Sequence, residues 1–253
     1  MSEQELKKYL DRHLAMIHVP SFADSDPVQF PRRFSRLQDI EIAAFTVATI
    51  AWGRRAMILR DAERMLSVWG GKPYDYVMNE GYRALGTANV HRTFFEPDLA
   101  YMLKGFRHIY LTHDSIDSYL KRSGAGQSDS PAWAAAEALQ RAMSEANGGV
   151  TNSRCLPSNL TQTALKRINM ALRWLVRDDG IVDLGVWKCI RPDQLFIPLD
   201  VHVGNTARRL GLLRRTANDR KAVEELTDRL RCFCREDPVK YDFALFGIGV
   251  NGL

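Results

Sequence analysis

The stretch from Ile40 to Ala51 constrains the fold most, because it is almost wholly apolar over about three turns of helix. A helix that is apolar on every side must be enclosed by other elements. Helical periodicity continues through most of the chain, and no clear strand-type alternation interrupts it. We therefore predict an all-α fold in which residues 1–253 form one domain of two packed helical halves.

The periodicity and the cap signals divide the chain into predicted helices. These helices cover residues 3–17, 40–51, 54–69, 73–80, 97–112, 115–122, 131–146, 159–177, 201–210, 218–234 and 239–246, and a short helix is also expected at 182–190. Asp39 is predicted as the N-cap of the central helix. Residues 18–38 are predicted as a loop, and a loop of that length is usually functional or wrapped on the surface. The small residues at 123–130 predict a linker and a subdomain hinge, with a cleft between the halves nearby.

The composition is that of a globular protein without resident metal chemistry. The chain is 45% hydrophobic and 26% charged, and its net charge of +5 permits a polyanionic partner without requiring one. The four cysteines have neither zinc-site nor iron–sulfur spacing, so no metal or cofactor is predicted. The first residues form a charged helix pattern rather than a signal peptide, and no apolar run is long enough to span a membrane. These features predict a cytoplasmic protein, and they leave the oligomeric state open.

The segment around Asp200 carries the clearest chemical signal. Pro198 biases the residue before it towards an extended backbone, and Asp200 stands where the next helix begins. An Asp at that place is usually an N-cap, which contributes about 1 kcal/mol. Here the carboxylate also lies beside His202 in a hydrophobic frame, and Gly211 occupies the position of a C-terminal cap. The segment is therefore a candidate site as well as a helix start.

The sequence of this segment, IPLDVHVGNTARRLGL, resembles the motif that carries the catalytic aspartate of the helix-hairpin-helix DNA glycosylases. I-P-L-D is closest to the archaeal 8-oxoguanine glycosylases, and D-x-H-V is closest to the endonuclease III group. Longer pieces are similar to a bacterial family of unassigned function in the same superfamily: DIEIAAFTVATIAWGRR, VHRTFF, ALKRINMALRWLVR and DPVKYDFALFGIGV. The resemblance implies a glycosylase-like all-α fold, and it implies Asp200 as the catalytic carboxylate.

The predicted helix at 159–177 would supply the second catalytic group. The glycosylases carry a hairpin L-P-G-V-G-x-K-T-A before such a helix, and this chain has L-P-S-N-L-T-Q-T-A at residues 156–164. Both hairpin glycines are absent, and Gln162 occupies the lysine position. Lys166 lies one predicted helical turn later on the same face, which makes it the candidate nucleophile. The alternative is a solvated lysine on a basic helix face, which Arg173 and Arg177 share at helical spacing.

The resemblance also implies a surface that binds nucleic acid. After the buried helix, Trp52 would stack on a base and Arg54 would contact a phosphate, although a packed Trp52 and a solvated Arg54 are slightly favoured, because aromatic residues at helix ends usually pack. The predicted nucleic-acid contacts are Trp52, Arg54, Arg55, Gln162, Arg173, His202 and Arg208. The candidate aromatic floors for a flipped base are Trp52, Trp174 and Trp187. The pairs Arg54–Arg55, Arg208–Arg209 and Arg214–Arg215 would hold phosphates.

Three functions are consistent with these features. The first is a DNA base-excision glycosylase, with lyase activity if Lys166 forms a Schiff base, and an RNA substrate is not excluded. The second is a non-catalytic nucleic-acid-binding protein on the same scaffold, which the missing glycines and Gln162 favour. The third is a helical protein that binds a nucleoside-like small molecule, which the modest charge favours.

Overall fold

The computed structural model describes residues 1–251, and they are predominantly helical. The helices are α1 (Glu3–Ile17), α2 (Pro20–Ser25), α3 (Leu37–Ile50), α4 (Arg55–Ser67), α5 (Pro73–Met78), α6 (Glu96–Tyr110), α7 (Ile116–Arg122), α8 (Pro131–Ala146), α9 (Lys166–Val176), α10 (Val201–Arg209), α11 (Arg220–Arg231) and α12 (Tyr241–Asn251). Two short antiparallel strands, β1 (Asn89–His91) and β2 (Phe94–Phe95), form a hairpin between α5 and α6. The predicted all-α class is confirmed at this level.

The apolar stretch forms the central helix α3, as predicted. Every residue from Ile40 to Ile50 is buried, and α3 packs against α9. The outer pairs are α1 with α12, α6 with α8, and α10 with α12. Among the described residues, none of the helices combines the length and apolarity needed to cross a membrane.

Glu41 is a charged residue within this buried helix. Its Oε1 accepts hydrogen bonds from the Trp187 indole at 2.8 Å and from the Asp117 amide at 3.0 Å. Its Oε2 accepts from the Ile116 amide at 2.9 Å and from the Tyr110 hydroxyl at 3.0 Å. The carboxylate therefore caps the first turn of α7 from a different helix. Burial nevertheless raises the pKa of Glu41 to about 7, against the lowering effect of these donors.

The start of α3 differs from the prediction. The helix begins at Leu37, its N-cap is Arg36, and Asp39 lies in the first turn. The Asp39 carboxylate accepts a hydrogen bond from the Tyr74 amide at 2.7 Å, so it pairs with an amide in the first turn of α5 instead. Residues 18–38 are also not one irregular loop, because α2 and two short 3₁₀ turns at Pro27–Gln29 and Pro31–Arg33 lie within them.

The largest correction concerns α9, which begins at Lys166 and not at residue 159. Thr163 forms an antiparallel bridge with Asp219, and the carbonyl of Gln162 accepts a hydrogen bond from the Arg220 amide at 3.0 Å. Residues 160–162 form a turn, Thr163 is held by the bridge, and Leu165 then takes a left-handed conformation at the N-cap. Gln162 is exposed and lies outside the helix. The argument that it shares a helix face with Lys166 is therefore wrong.

The segment at 123–130 is packed against the connector that follows α9. The Gln194 side chain donates to the Gly126 carbonyl at 2.8 Å. A Cβ added at Gly126 would lie 1.8 Å from the Cys189 carbonyl oxygen, so this contact requires glycine. The hinge predicted here stays a prediction. The connector itself contains no helix at 182–190, where a short one was expected.

Candidate functional site

A pocket of about 850 Å³ opens where α9, α10 and α12 meet the junction between α3 and α4. Its walls come mainly from residues 22–27, 51–58, 166–173, 198–203 and 242–250. Three carboxylates and several basic groups line it: Asp26, Asp200, Asp242, Arg55, Lys166, Arg167, Arg173 and His202. None of its lining residues comes from the segment at 123–130, so this pocket is not the cleft that was predicted near the linker.

Asp200 is the N-cap of α10, as predicted. Its backbone is extended, and its Oδ1 accepts a hydrogen bond from the Val203 amide at 3.0 Å. The Asn218 side chain donates to the Asp200 carbonyl at 3.2 Å, which ties the cap to the loop before α11. Ile197 and Leu199 are buried and fix the position of the segment that precedes α10. The carboxylate is therefore held in the pocket wall at a helix N-terminus, where the dipole favours negative charge.

Lys166 lines the same pocket as Asp200. Its Nζ donates to the Ala51 carbonyl at 3.2 Å, and within the described residues it forms no ion pair. Burial lowers the pKa of the Lys166 amine, although the negative charges of Asp200, Asp242 and Asp26 oppose that shift. The residue is therefore a half-buried amine in the wall of a cavity and not a fully exposed surface lysine.

Arg173 does not lie on a solvated basic face, because it is 4% exposed. Its guanidinium bonds the carboxylate of Asp242 and lies 3.3 Å from an oxygen of Asp183. Arg177, predicted on the same face, is equally buried between Asp183, Asp179 and Asp237. The donors of Arg173 are therefore engaged by internal carboxylates, and the nucleic-acid contact predicted for it stays a prediction.

Two acidic groups of the pocket were not identified from the sequence. Asp242 is buried at the start of α12, and burial raises its pKa despite the neighbouring Arg173 cation. Asp26 begins the 3₁₀ turn at Pro27–Gln29 and accepts a hydrogen bond from the Val28 amide at 3.0 Å. The signal for Asp242 was a charge in an otherwise apolar helix, and the signal for Asp26 was the unusual length of the 18–38 segment.

The junction between α3 and α4 brings Trp52 and Arg55 to the pocket. Trp52 is partly exposed, and the Arg92 guanidinium lies over its ring at 4.3 Å. The Trp52 carbonyl accepts from His91, which is buried and also bonds Asp61 at 2.7 Å. Arg55 lies over the Phe246 ring at 5.2 Å, whereas Arg54 is exposed and does not line the pocket.

Two further predicted nucleic-acid contacts, His202 and Arg208, lie in different surroundings. His202 is exposed on the pocket rim. Arg208 is half-buried, and its guanidinium donates to the Arg215 carbonyl at 2.8 Å and to the Asn218 side chain at 2.5 Å. Two of its donors therefore hold the loop that carries Asn218, and the phosphate role predicted for Arg208 stays a prediction.

Trp174 and Trp187 cannot form the floor of this pocket. Both are essentially without exposed surface, and neither lines it. Trp187 donates to Glu41, while Trp174 lies in the buried face of α9. Of the three candidate rings, only Trp52 reaches the cavity. The Phe22, Phe243 and Phe246 rings supply the other aromatic surface.

No group of three or more His, Cys, Asp or Glu side chains among residues 1–251 has the arrangement of a metal site. The model of one family, DUF2400, described as a protein of unknown function, matches residues 26–251. The match includes every segment of the pocket except Phe22. No curated protein and no solved structure matches the chain.

Proposed function

The chain belongs to the DUF2400 family, and we propose that it is a DNA base-excision glycosylase of the helix-hairpin-helix type, with lyase activity. One observation carries the proposal: Lys166 and Asp200 line the same cavity although they are far apart in the sequence. The volume of about 850 Å³ falls within the range of small-molecule sites and accommodates a flipped nucleoside.

The two side chains have complementary roles in this reaction. Cleavage of the N-glycosidic bond leaves positive charge on the sugar, and the Asp200 carboxylate stabilises that charge. The neutral Lys166 amine attacks the anomeric carbon, while the electron pair of the broken bond leaves with the base. The amine then loses a proton, and opening of the sugar ring produces a Schiff base. The base itself stacks against Trp52 or the phenylalanine rings of the cavity.

The desolvation of Lys166 supports its role as nucleophile. An ordinary lysine is protonated at neutral pH and cannot attack, whereas burial lowers the pKa of this amine. The rate of covalent trapping should therefore rise with pH and reach its plateau below the ordinary lysine value of 10.5. A plateau at or above that value would contradict the role.

The direct test is incubation with a panel of damaged-base duplexes in the presence of borohydride, which reduces the Schiff base to a stable amine. Wild-type protein should give a covalent adduct, and Lys166→Gln should give none. Asp200→Asn should slow base release while duplex binding is retained. Lys188→Gln is the matched control, because the Lys188 ammonium also donates to a backbone carbonyl, that of Gly185 at 3.0 Å, outside the pocket. Adduct formation by Lys166→Gln would exclude Lys166 as the nucleophile.

A nucleoside-sized metabolite is the second candidate, and one observation favours it. Of the three predicted arginine pairs, only Arg55 contributes to the wall of the pocket. Arg215 instead bonds the Asp219 carboxylate. Free nucleosides should therefore be included in the same panel, with binding measured by calorimetry. Base release from a free nucleoside but not from a duplex would assign the pocket to the metabolite.

A further inference from the structure

A second, smaller pocket of about 400 Å³ adjoins the proposed catalytic pocket. We call it the side pocket, and its lining residues are Trp52, Thr93, Phe94, Ser153, Arg154 and Arg167. Trp52 and Arg167 line both pockets, so a ligand in one lies next to a ligand in the other. The side pocket is built from the β1–β2 turn and the turn at 152–155, which are distant in sequence.

Arg167 is a cation without a counter-ion. Its guanidinium donates to the carbonyls of Thr49 at 2.9 Å and Arg154 at 3.1 Å, and among the described residues it forms no ion pair. Burial lowers the pKa of Arg167, because no carboxylate offsets the loss of solvent. The buried arginines Arg173 and Arg177 differ, since each bonds internal carboxylates. Arg167 is half-buried, and a guanidinium in a pocket that lacks a carboxylate is a site for an external anion.

The other polar groups of the side pocket are also donors: two hydroxyls and a second guanidinium. Thr93 and Ser153 are exposed, and neither hydroxyl has a hydrogen-bond partner within the described part of the chain. The Arg154 side chain is 57% exposed, and its contact with Asp98 is long, at 3.5 Å. Two guanidinium groups and two hydroxyls are the donor set that proteins use for phosphate esters.

The Trp52 wall between the pockets is held in place from outside. Arg92 has a left-handed backbone with φ of 49°, and its guanidinium covers the Trp52 ring. Gly53 has a φ of 102°, which favours glycine, and the missing Cβ leaves room for the Arg92 guanidinium beside it. The Trp52 ring between the two pockets is therefore covered by the Arg92 guanidinium.

From this geometry we infer that the side pocket binds the phosphate group attached to the nucleoside that occupies the catalytic pocket. The inference rests on the proposed function for the identity of that nucleoside. The phosphate belongs either to the backbone of a nucleic-acid strand or to a free nucleotide, and both present the same tetrahedral anion to Arg154, Arg167 and the two hydroxyls.

The test uses the whole protein and two exposed positions, where substitution leaves the core intact. Arg154→Gln and Ser153→Ala are compared with the wild type and with Arg191→Gln, a control at an exposed arginine outside both pockets. Binding of a duplex containing a tetrahydrofuran abasic analogue is measured by fluorescence anisotropy over a salt series. Binding of deoxyadenosine and its 5′-monophosphate is measured by calorimetry.

If the phosphate belongs to a strand, Arg154→Gln should weaken duplex binding by about tenfold and reduce the slope of log K against log salt by about 1. If it belongs to a free nucleotide, the wild type should bind the monophosphate more tightly than the nucleoside, and Arg154→Gln should abolish that difference. Ser153→Ala should act in the same direction with a smaller effect. Unchanged duplex slopes together with equal binding of nucleoside and monophosphate would overturn the inference.

These binding measurements are independent of the chemistry. A negative borohydride experiment with intact phosphate-dependent binding would overturn the lyase step of the proposed function and leave the side pocket assigned. A positive borohydride experiment, with an unchanged salt slope in Arg154→Gln and equal binding of nucleoside and monophosphate, would overturn the side-pocket inference and leave the proposed function standing.

Discussion

Replacement of Glu41 by glutamine should remove a pH-dependent loss of stability from the centre of the fold. The wild-type carboxyl is fully buried in α3 and its pKa is raised from 4.5 to about 7. Between these two values the unfolded chain has released the Glu41 proton, whereas the folded chain retains it. Since the folded state then binds more protons, the free energy of unfolding falls as the pH rises through this interval.

The magnitude follows from the two pKa values. The difference is about 2.5 pH units, and each unit corresponds to about 1.4 kcal/mol. Glu41 should therefore reduce the free energy of unfolding by about 3 kcal/mol between pH 4.5 and pH 7, with no further change above pH 7. Glutamine has no proton to release. The difference in the free energy of unfolding between wild type and Glu41→Gln should therefore change by the same amount over this pH range. The glutamine amide also pairs poorly with the Ile116 and Asp117 N–H groups, but that cost does not vary with pH.

The assay is urea denaturation of both proteins at intervals from pH 4.5 to 8. Glu63→Gln is the control, because Arg33 lowers the pKa of Glu63 and places its titration below this range. A pH-independent difference between wild type and Glu41→Gln would refute the reasoning. It would mean that the four donors around the carboxylate, two of them at the start of α7, offset its desolvation completely.

Two further predictions concern the site and the packed linker. Asp200→Ala should lower the free energy of unfolding by about 1 kcal/mol through loss of the α10 cap, whereas Asp200→Asn should retain most of the stabilisation by the cap. Equal losses of stability for the two variants in thermal denaturation would contradict the capping role. Gly126→Ala should lower the free energy of unfolding by about 1–3 kcal/mol, because its Cβ would overlap the Cys189 carbonyl. Ser123→Ala, at an exposed position in the same segment, should leave the free energy of unfolding nearly unchanged. Equal stability of Gly126→Ala and Ser123→Ala would show that the backbone of this segment can move to accommodate the added Cβ.

Local features of the sequence were enough to determine the helical class, the buried central helix and the cap at Asp200. Each depends on interactions within a few residues: apolar periodicity around α3, the extended bias before Pro198, and a carboxylate that reaches the amide of Val203. The pairing of Lys166 with Asp200 rested on a family resemblance. The structure places both in one pocket, although the helical-face argument used to choose Lys166 was wrong.

Only the tertiary structure decided where α9 begins, which arginines are free, and which acids enter the pocket. The bridge from Thr163 to Asp219 joins segments more than fifty residues apart, and it overrides a helical pattern that looked continuous. Helical spacing places Arg173 on a basic face of α9, whereas in the structure its guanidinium forms an ion pair with Asp242 of α12. Such long-range pairings leave no periodic signal in the sequence, because they depend on how helices pack and not on which residues are neighbours along one helix.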